Sequence, residues 1–182
     1  MVPFLVTVRY YYLINTKVIL TRGSFMRIEL LHASKYGNGE KVAAYLQGLL
    51  IAKGHQANVH HVRQIKPKDV PAADLYVFCS PARIGKPIGT MRRFLKNVIL
   101  PQEAKYGLIA TLGQPKPDKK TGEMPPQEQV EKYQRSLPIM EGLLTEKGAV
   151  KVADIKVFVV DLKGPLEEGW EKKIMTFASQ LE

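Results

Sequence analysis

The stretch Leu30-Leu31-His32-Ala33-Ser34-Lys35-Tyr36-Gly37-Asn38-Gly39-Glu40 decides how the rest of the chain is read. An apolar strand runs into a short polar loop with two glycines. The loop then opens an amphipathic helix, with Val42, Leu46, Leu49 and Leu50 at helical spacing. The first turn of a helix carries N–H groups without intrahelical partners, and the helix dipole makes that end positive. A phosphate fits there. Gly37 and Gly39 can adopt positive φ and curl the loop amides around an anion. Ser34 and Asn38 offer side-chain donors, and Lys35 offers a charge. The alternative is an ordinary strand-to-helix turn that uses glycine for tightness.

Strands and helices alternate on both sides of this unit. Arg27 to Ala33 reads as the first strand and Glu40 to Lys53 as the first helix. Gln56 to Val62 is a second, more polar strand. Leu75 to Ser80 is a third, apolar along nearly its whole length, as expected of a strand buried on both faces. A helix over Gly89 to Val98 leads to a fourth strand, Tyr106 to Thr111. The loop Leu112 to Pro126 carries four prolines and several lysines. The spacing then predicts one helix over Gln127 to Lys147, with Val130, Tyr133, Leu137, Met140 and Leu144 on its inner face and a kink at Pro138. Ile155 to Val160 is the fifth strand. Glu167 to Leu181 is the closing helix, with Trp170, Ile174, Phe177 and Leu181 facing inward. Arg63 to Ala73 is too short and proline-interrupted for more than a turn of helix. The pattern predicts an α/β domain with a five-stranded parallel sheet covered on both faces.

A chain of 182 residues, 45% hydrophobic and 24% charged, is long enough for one domain with a sizeable core. Its single cysteine, Cys79, excludes an intramolecular disulfide and fits a reducing compartment, so a cytoplasmic location is expected. Cys79 ends the apolar run that starts at Leu75 and reads as a core thiol rather than a nucleophile. No apolar run approaches the ~20 residues of a transmembrane helix. The net charge of +10 suits an acidic partner or an anionic cofactor, and permits peripheral contact with a membrane surface. Nucleic acid is not expected, because Lys116, Lys119 and Lys120 have no interleaved aromatics for stacking and read as a solvated loop.

Residues 1–25 differ from the rest. They are rich in Val, Leu, Ile and Tyr and contain no acidic residue. They lack the pattern of a signal peptide. We expect residues 26–182 to form the domain and residues 1–25 to be an extension or the product of a misassigned start, with Met26 as the true start. An added strand or a peripheral anchor is the alternative. Removing Arg9, Lys17 and Arg22 with this segment leaves a net charge of +7, so the basic character does not depend on it.

Ligands of open parallel sheets bind beyond the carboxyl ends of the strands. Three segments lie there: Ser34 to Gly39, Ser80 to Pro87, and the segment beginning Thr111-Leu112-Gly113-Gln114. Their Gly, Pro and small polar residues suit backbone contact with a flat ligand; plain surface loops are the alternative. No Gly-x-Gly-x-x-Gly follows the first strand, and His60 and His61 stand where a ribose-binding acid would be, so a dinucleotide site is not expected. A P-loop lysine is missing too. His60 and His61 are adjacent on a strand and point to opposite faces, which argues against a shared metal. His32 and His55 read as structural or solvated, and no nucleophile–base spacing assigns a catalytic residue.

Ser34-Lys35-Tyr36-Gly37-Asn38-Gly39-Glu40 resembles the phosphate loop of the flavodoxin superfamily. The Ser-Lys-Tyr-Gly form is most similar to the subgroup that includes menaquinone-dependent protoporphyrinogen oxidase. Asp74 to Leu95, with Arg83 in its loop and Arg92-Arg93-Phe94-Leu95 in its helix, resembles that subgroup's second flavin loop. The resemblance spans about Met26 to Leu181. It implies a flavodoxin-like three-layer sandwich with strand order 2-1-3-4-5 and FMN as cofactor. Ser34, Lys35, Tyr36, Gly37, Asn38 and Gly39 would hold the phosphate. Pro81, Ala82, Arg83, Ile84 and Gly85, with Thr111, Leu112, Gly113 and Gln114, would enclose the ring. Three positions depart from the pattern: Tyr36 and Gly39 replace threonines, and Arg83 replaces a stacking aromatic.

The resemblance implies electron transfer by bound FMN, to an acidic redox protein or a small-molecule acceptor. A second reading is an FMN-dependent oxidoreductase acting on a quinone or a protoporphyrinogen-like substrate, with Leu112 to Pro126 helping to build its site. A third is a flavodoxin-like binding module without cofactor, suggested by the three departures.

Overall fold

The structure is a computed structural model that describes residues 25–161 and 163–182. The expectations for residues 1–24 lie outside the described residues. Among the described residues, six strands and five α-helices follow in order: β1 (Arg27–His32), α1 (Asn38–Ala52), β2 (Gln56–His61), β3 (Leu75–Arg83), β4 (Lys86–Pro87), α2 (Gly89–Asn97), β5 (Lys105–Gly113), α3 (Gln127–Lys132), α4 (Ser136–Thr145), β6 (Val150–Val159) and α5 (Trp170–Gln180). One 3-10 turn, Pro67–Asp69, occupies the segment after β2, where one turn was expected.

β2, β1, β3, β5 and β6 form the sheet in that spatial order, all parallel. This is the order 2-1-3-4-5 expected of the five long strands. β4 is an addition, paired antiparallel with the end of β3. Alternate side chains along the strands feed two cores. Ile28 and Leu30 meet Val42, Leu46 and Leu50 of α1 and Trp170, Ile174 and Phe177 of α5. Leu31, Phe78 and Leu108 meet Met91, Phe94 and Leu95 of α2 and Leu137, Met140 and Leu144 of α4. Burial of each such side chain stabilises the fold by about 1.5–3 kcal/mol. Helices on both faces leave the central strands β1, β3 and β5 almost without a solvated side, which explains the apolar run in β3.

Two expectations are corrected. The helix expected over residues 127–147 is two helices, broken at Tyr133–Arg135. Proline has no N–H and its ring collides with the carbonyl four residues earlier. Pro138 therefore cannot continue a helix through Gln134, but it fits the first turn of α4, where no N–H is needed. The break also removes Tyr133 and Val130 from the expected inner face. Tyr133 is 55% exposed and Val130 is half-buried. The second correction is that Ser80 to Pro87 is a hairpin rather than a loop. β3 runs on through Pro81 to Arg83, because the Pro81 carbonyl accepts the Ile88 N–H and needs no N–H of its own. Ile84 and Gly85 make the turn with φ of 51° and 71°, the positive pair that suits a tight two-residue hairpin.

Candidate functional site

The carboxyl ends of β1, β3 and β5 open onto a cleft of about 890 Å³, within the range of small-molecule sites. Of the residues singled out from the sequence, 34–36, 38, 39, 81–85 and 111–114 all line it. Gly37 does not line it, but shapes the loop that does.

Ser34 to Gly39 form the first wall. Gly37 has φ +86° and precedes α1, so the chain turns into the helix through a left-handed residue. Gly39 departs from expectation. It lies in the first turn of α1 without a positive φ. A Cβ there would lie 3.5 Å from Cys79 Sγ and 3.6 Å from Ser34 Cβ, so the bare glycine keeps the space beside Ser34 open. No acceptor among the described residues takes the N–H groups of residues 35–40; the first such bond is Lys41 N–H to the Gly37 carbonyl, 2.8 Å. Ser34 Oγ is buried and has no hydrogen-bond partner among the described residues. Orphan amides on a helix end beside an orphan buried hydroxyl are the donor set an anion requires.

The loop is held from three sides. His61 Nε2 reaches the Ser34 carbonyl (3.3 Å), and the Cys79 thiol faces the Gly39 carbonyl (3.7 Å). Asn38 was expected to donate to the anion. Its Nδ2 donates one hydrogen to the Lys163 carbonyl (3.2 Å), which ties the segment after β6 to the loop, and keeps a second hydrogen.

The hairpin makes the second wall and the β5 end the third. Ile84 at the hairpin tip is 78% exposed. Gly85 abuts the main chain of Tyr133: a Cβ on it would lie 2.7 Å from the Tyr133 carbonyl carbon. Pro115, Lys116, Pro125, Gln129, Val130, Tyr133 and Gln134, with residues of the β6 end, also line the cleft. The sequence reading missed Val130 and Tyr133 because the 3.6 period placed them in the core; Pro138 was the available signal. The charged lining residues are Lys35, Arg83, Lys116 and Asp161, an excess of positive charge suited to an anionic ligand. Lys116 is partnered, 3.3 Å from Asp161, while Lys119 and Lys120 stand outside the lining, in a turn closed on Asp118.

Of the two histidines read as structural or solvated, His55 has a partner, and the buried Nδ1 of His32 has no hydrogen-bond partner among the described residues. His60 pairs with Glu29 (2.6 Å) and His55 with Glu182 (3.1 Å). His32 meets His61 edge-on, with ring centroids 5.0 Å apart. Burial and the neighbouring His61 lower the His32 pKa, against a smaller upward pull from Glu40. Burial pushes the Cys79 thiol up to about 12, which removes it as a nucleophile. Among the described residues no helix is long and apolar enough to cross a membrane.

No protein-family model and no curated protein matches the chain. Solved structures do. Flavodoxin 2 from Bacillus cereus superposes with a TM-score of 0.66 at 19% identity, over 85% of this chain and 97% of that one. A flavodoxin from Streptococcus pneumoniae TIGR4 gives 0.62 at 18%, over 85% and 96%. Rubredoxin oxygen:oxidoreductase from Desulfovibrio gigas gives 0.62 at 14%, over 85% of this chain. The match spans about a third of that longer protein (35%). At these identities the likeness concerns the fold, and with the sheet order and the two-sided core it gives the chain the flavodoxin-like fold.

Proposed function

We propose that the protein binds FMN in this cleft and transfers electrons through it. The observation that carries the reading is the anion cradle: the unpartnered N–H groups of residues 35–40 and the unpartnered, buried Ser34 Oγ, all at the mouth of a cleft large enough for a flat ring. Main-chain amides and Ser34 would hold the phosphate, with Lys35 supplying charge. Residues 81–85 and 111–114 would enclose the ring. Bound flavin supplies one- and two-electron transfer. The chain supplies orientation, exclusion of water and electrostatics. Arg83 places a positive charge on the ring wall, and such a charge raises the reduction potential relative to an acidic wall. The excess of basic residues suits an acidic redox partner.

The test is the visible absorption spectrum of the purified full chain, before and after FMN is added and the excess removed. A retained flavin spectrum, with FMN identified on release, supports the reading. A colourless protein that takes up no FMN overturns it and leaves a cofactor-free binding module.

One observation favours a second reading, an FMN-dependent oxidoreductase with a quinone- or porphyrinogen-like substrate. The segment from Pro115 to Gln134 adds an apolar wall with Val130 and Tyr133 beside the ring end of the cleft. Turnover of such substrates that falls when residues 117–123 are shortened, with FMN retained, supports it. Flavin uptake without turnover leaves the carrier.

A further inference from the structure

We propose that the tip of the β3–β4 hairpin, with Ile84 at its point and Arg83 and Lys86 beside it, docks the protein on the surface of an anionic lipid bilayer. The two-residue turn Ile84-Gly85 takes φ of 51° and 71°. That conformation favours Asn, Asp or Gly, and a β-branched residue enters it only against strain. Ile84 is nevertheless there. It is 78% exposed, the most exposed large hydrophobic side chain among the described residues. Neither the turn nor the core accounts for an aliphatic side chain at this point. A strained residue whose side chain faces solvent points to a function outside the fold.

The surroundings name the partner. Arg83 and Lys86 pair across the hairpin and are both exposed. Tyr36, Tyr133 and Val160 line the same cleft and are exposed too, with Lys35 adding a further positive charge. Asp161, the one acid of the lining, lies 3.3 Å from Lys116. Apolar side chains set among basic ones make a surface anchor: the apolar groups enter the acyl boundary and the basic groups meet headgroup phosphates. A protein partner needs a matching shape over a broad area, whereas a fluid lipid surface accepts single side chains set around a concave opening. The net charge of +10 draws the whole molecule to the same surface. Gly85 packs against the Tyr133 main chain, which braces the hairpin against the break between α3 and α4. Docked this way, the cleft opens onto the bilayer.

Flotation of the full chain with lipid vesicles tests this. No flavin is added, so the outcome does not depend on the flavin reading. Vesicles of equal parts phosphatidylcholine and phosphatidylglycerol are expected to carry the protein, and phosphatidylcholine alone to leave it behind, with binding falling as salt rises. Asparagine suits the turn better than isoleucine, so Ile84→Asn is expected to unfold at no lower a midpoint than the unaltered protein. It is expected to weaken binding to the anionic vesicles about tenfold. Lys86→Gln is expected to weaken it about fivefold. Ile84→Trp should emit at shorter wavelength when the anionic vesicles are added, above the steady signal of the buried Trp170. Unchanged vesicle binding in Ile84→Asn overturns the assignment, because charge alone or another part of the chain then makes the contact. No vesicle binding by the unaltered protein overturns it as well and leaves the basic rim to an acidic protein.

Discussion

His61 Nε2 lies 3.3 Å from the carbonyl oxygen of Ser34, and the Arg63 N–H donates to His61 Nδ1 at 3.1 Å. The second bond makes Nδ1 the acceptor. The ring hydrogen is then on Nε2 and points at the anion loop. Edge strand β2 thereby holds the loop's first carbonyl. His61→Leu removes that donor. On the flavin proposal, FMN affinity is expected to fall a few-fold with riboflavin affinity unchanged, and stability to fall by about 1 kcal/mol. Equal FMN affinity in the two proteins rejects this role.

The His32 pKa is lowered, chiefly by burial. The unfolded chain therefore binds this proton more readily than the folded one, and stability rises with pH through the interval below the ordinary histidine value of about 6.5. It is complete above that value and is lost as pH falls toward the lowered one. Urea unfolding measured from pH 7.5 to 5 is expected to show this decline, with a shallower slope in His32→Gln. The same slope in both proteins assigns the decline to other groups.

Glu29 is 2% exposed and takes hydrogen bonds from His60 Nε2 (2.6 Å) and Asn58 Nδ2 (2.8 Å). Removing one partner of a buried carboxylate leaves the charge undercompensated, whereas replacing both partners by apolar groups is close to neutral. His60→Leu is expected to cost about 2 kcal/mol, since His60 is partly solvated and Asn58 remains. Glu29→Leu added to it recovers most of that loss. Additive losses in denaturant unfolding would sink this account.

Gly85 and Gly37 both have positive φ, of 71° and 86°. A Cβ on Gly37 meets nothing within 4 Å, whereas one on Gly85 collides with the Tyr133 main chain. Gly37→Ala is expected to cost only the backbone strain, about 1 kcal/mol. Gly85→Ala costs more, because its Cβ displaces the Tyr133 main chain. Similar losses in the two variants contradict the close contact.

Cys79 is buried and its thiol is pushed up to about 12. The thiolate is the reactive species. A thiol reagent at pH 8 should modify the native protein only at the rate of unfolding, and the denatured chain at once. Fast reaction of the native protein would show that the thiol is accessible.

The α/β alternation was legible because a parallel sheet covered on both faces must show apolar strands separated by amphipathic helices, as Leu75 to Ser80 and Glu40 to Lys53 do. The three segments that line the cleft were legible for a related reason: parallel strands direct all their carboxyl ends to one side. Tyr133 was not legible. Its spacing from Leu137 and Leu144 fits a helix, and the period says nothing about a helix that stops and restarts. The hairpin over Ser80 to Pro87 was hidden by its prolines and by Ile84, a residue that seldom takes positive φ.

The amino-acid sequence by itself determined the order of elements, the strand-to-helix turn at Ser34 to Gly39 and the two-sided core, because these depend on local periodicity and on the torsional freedom of single residues. Only the tertiary structure decided which donors remain free. Asn38 was drawn to the Lys163 carbonyl and Ser34 Oγ was left without a partner. It also decided that Gly85 and Tyr133, distant in sequence, meet to close the cleft. Such pairings follow from which segments the packed sheet brings together, and residue spacing along the chain carries no record of them.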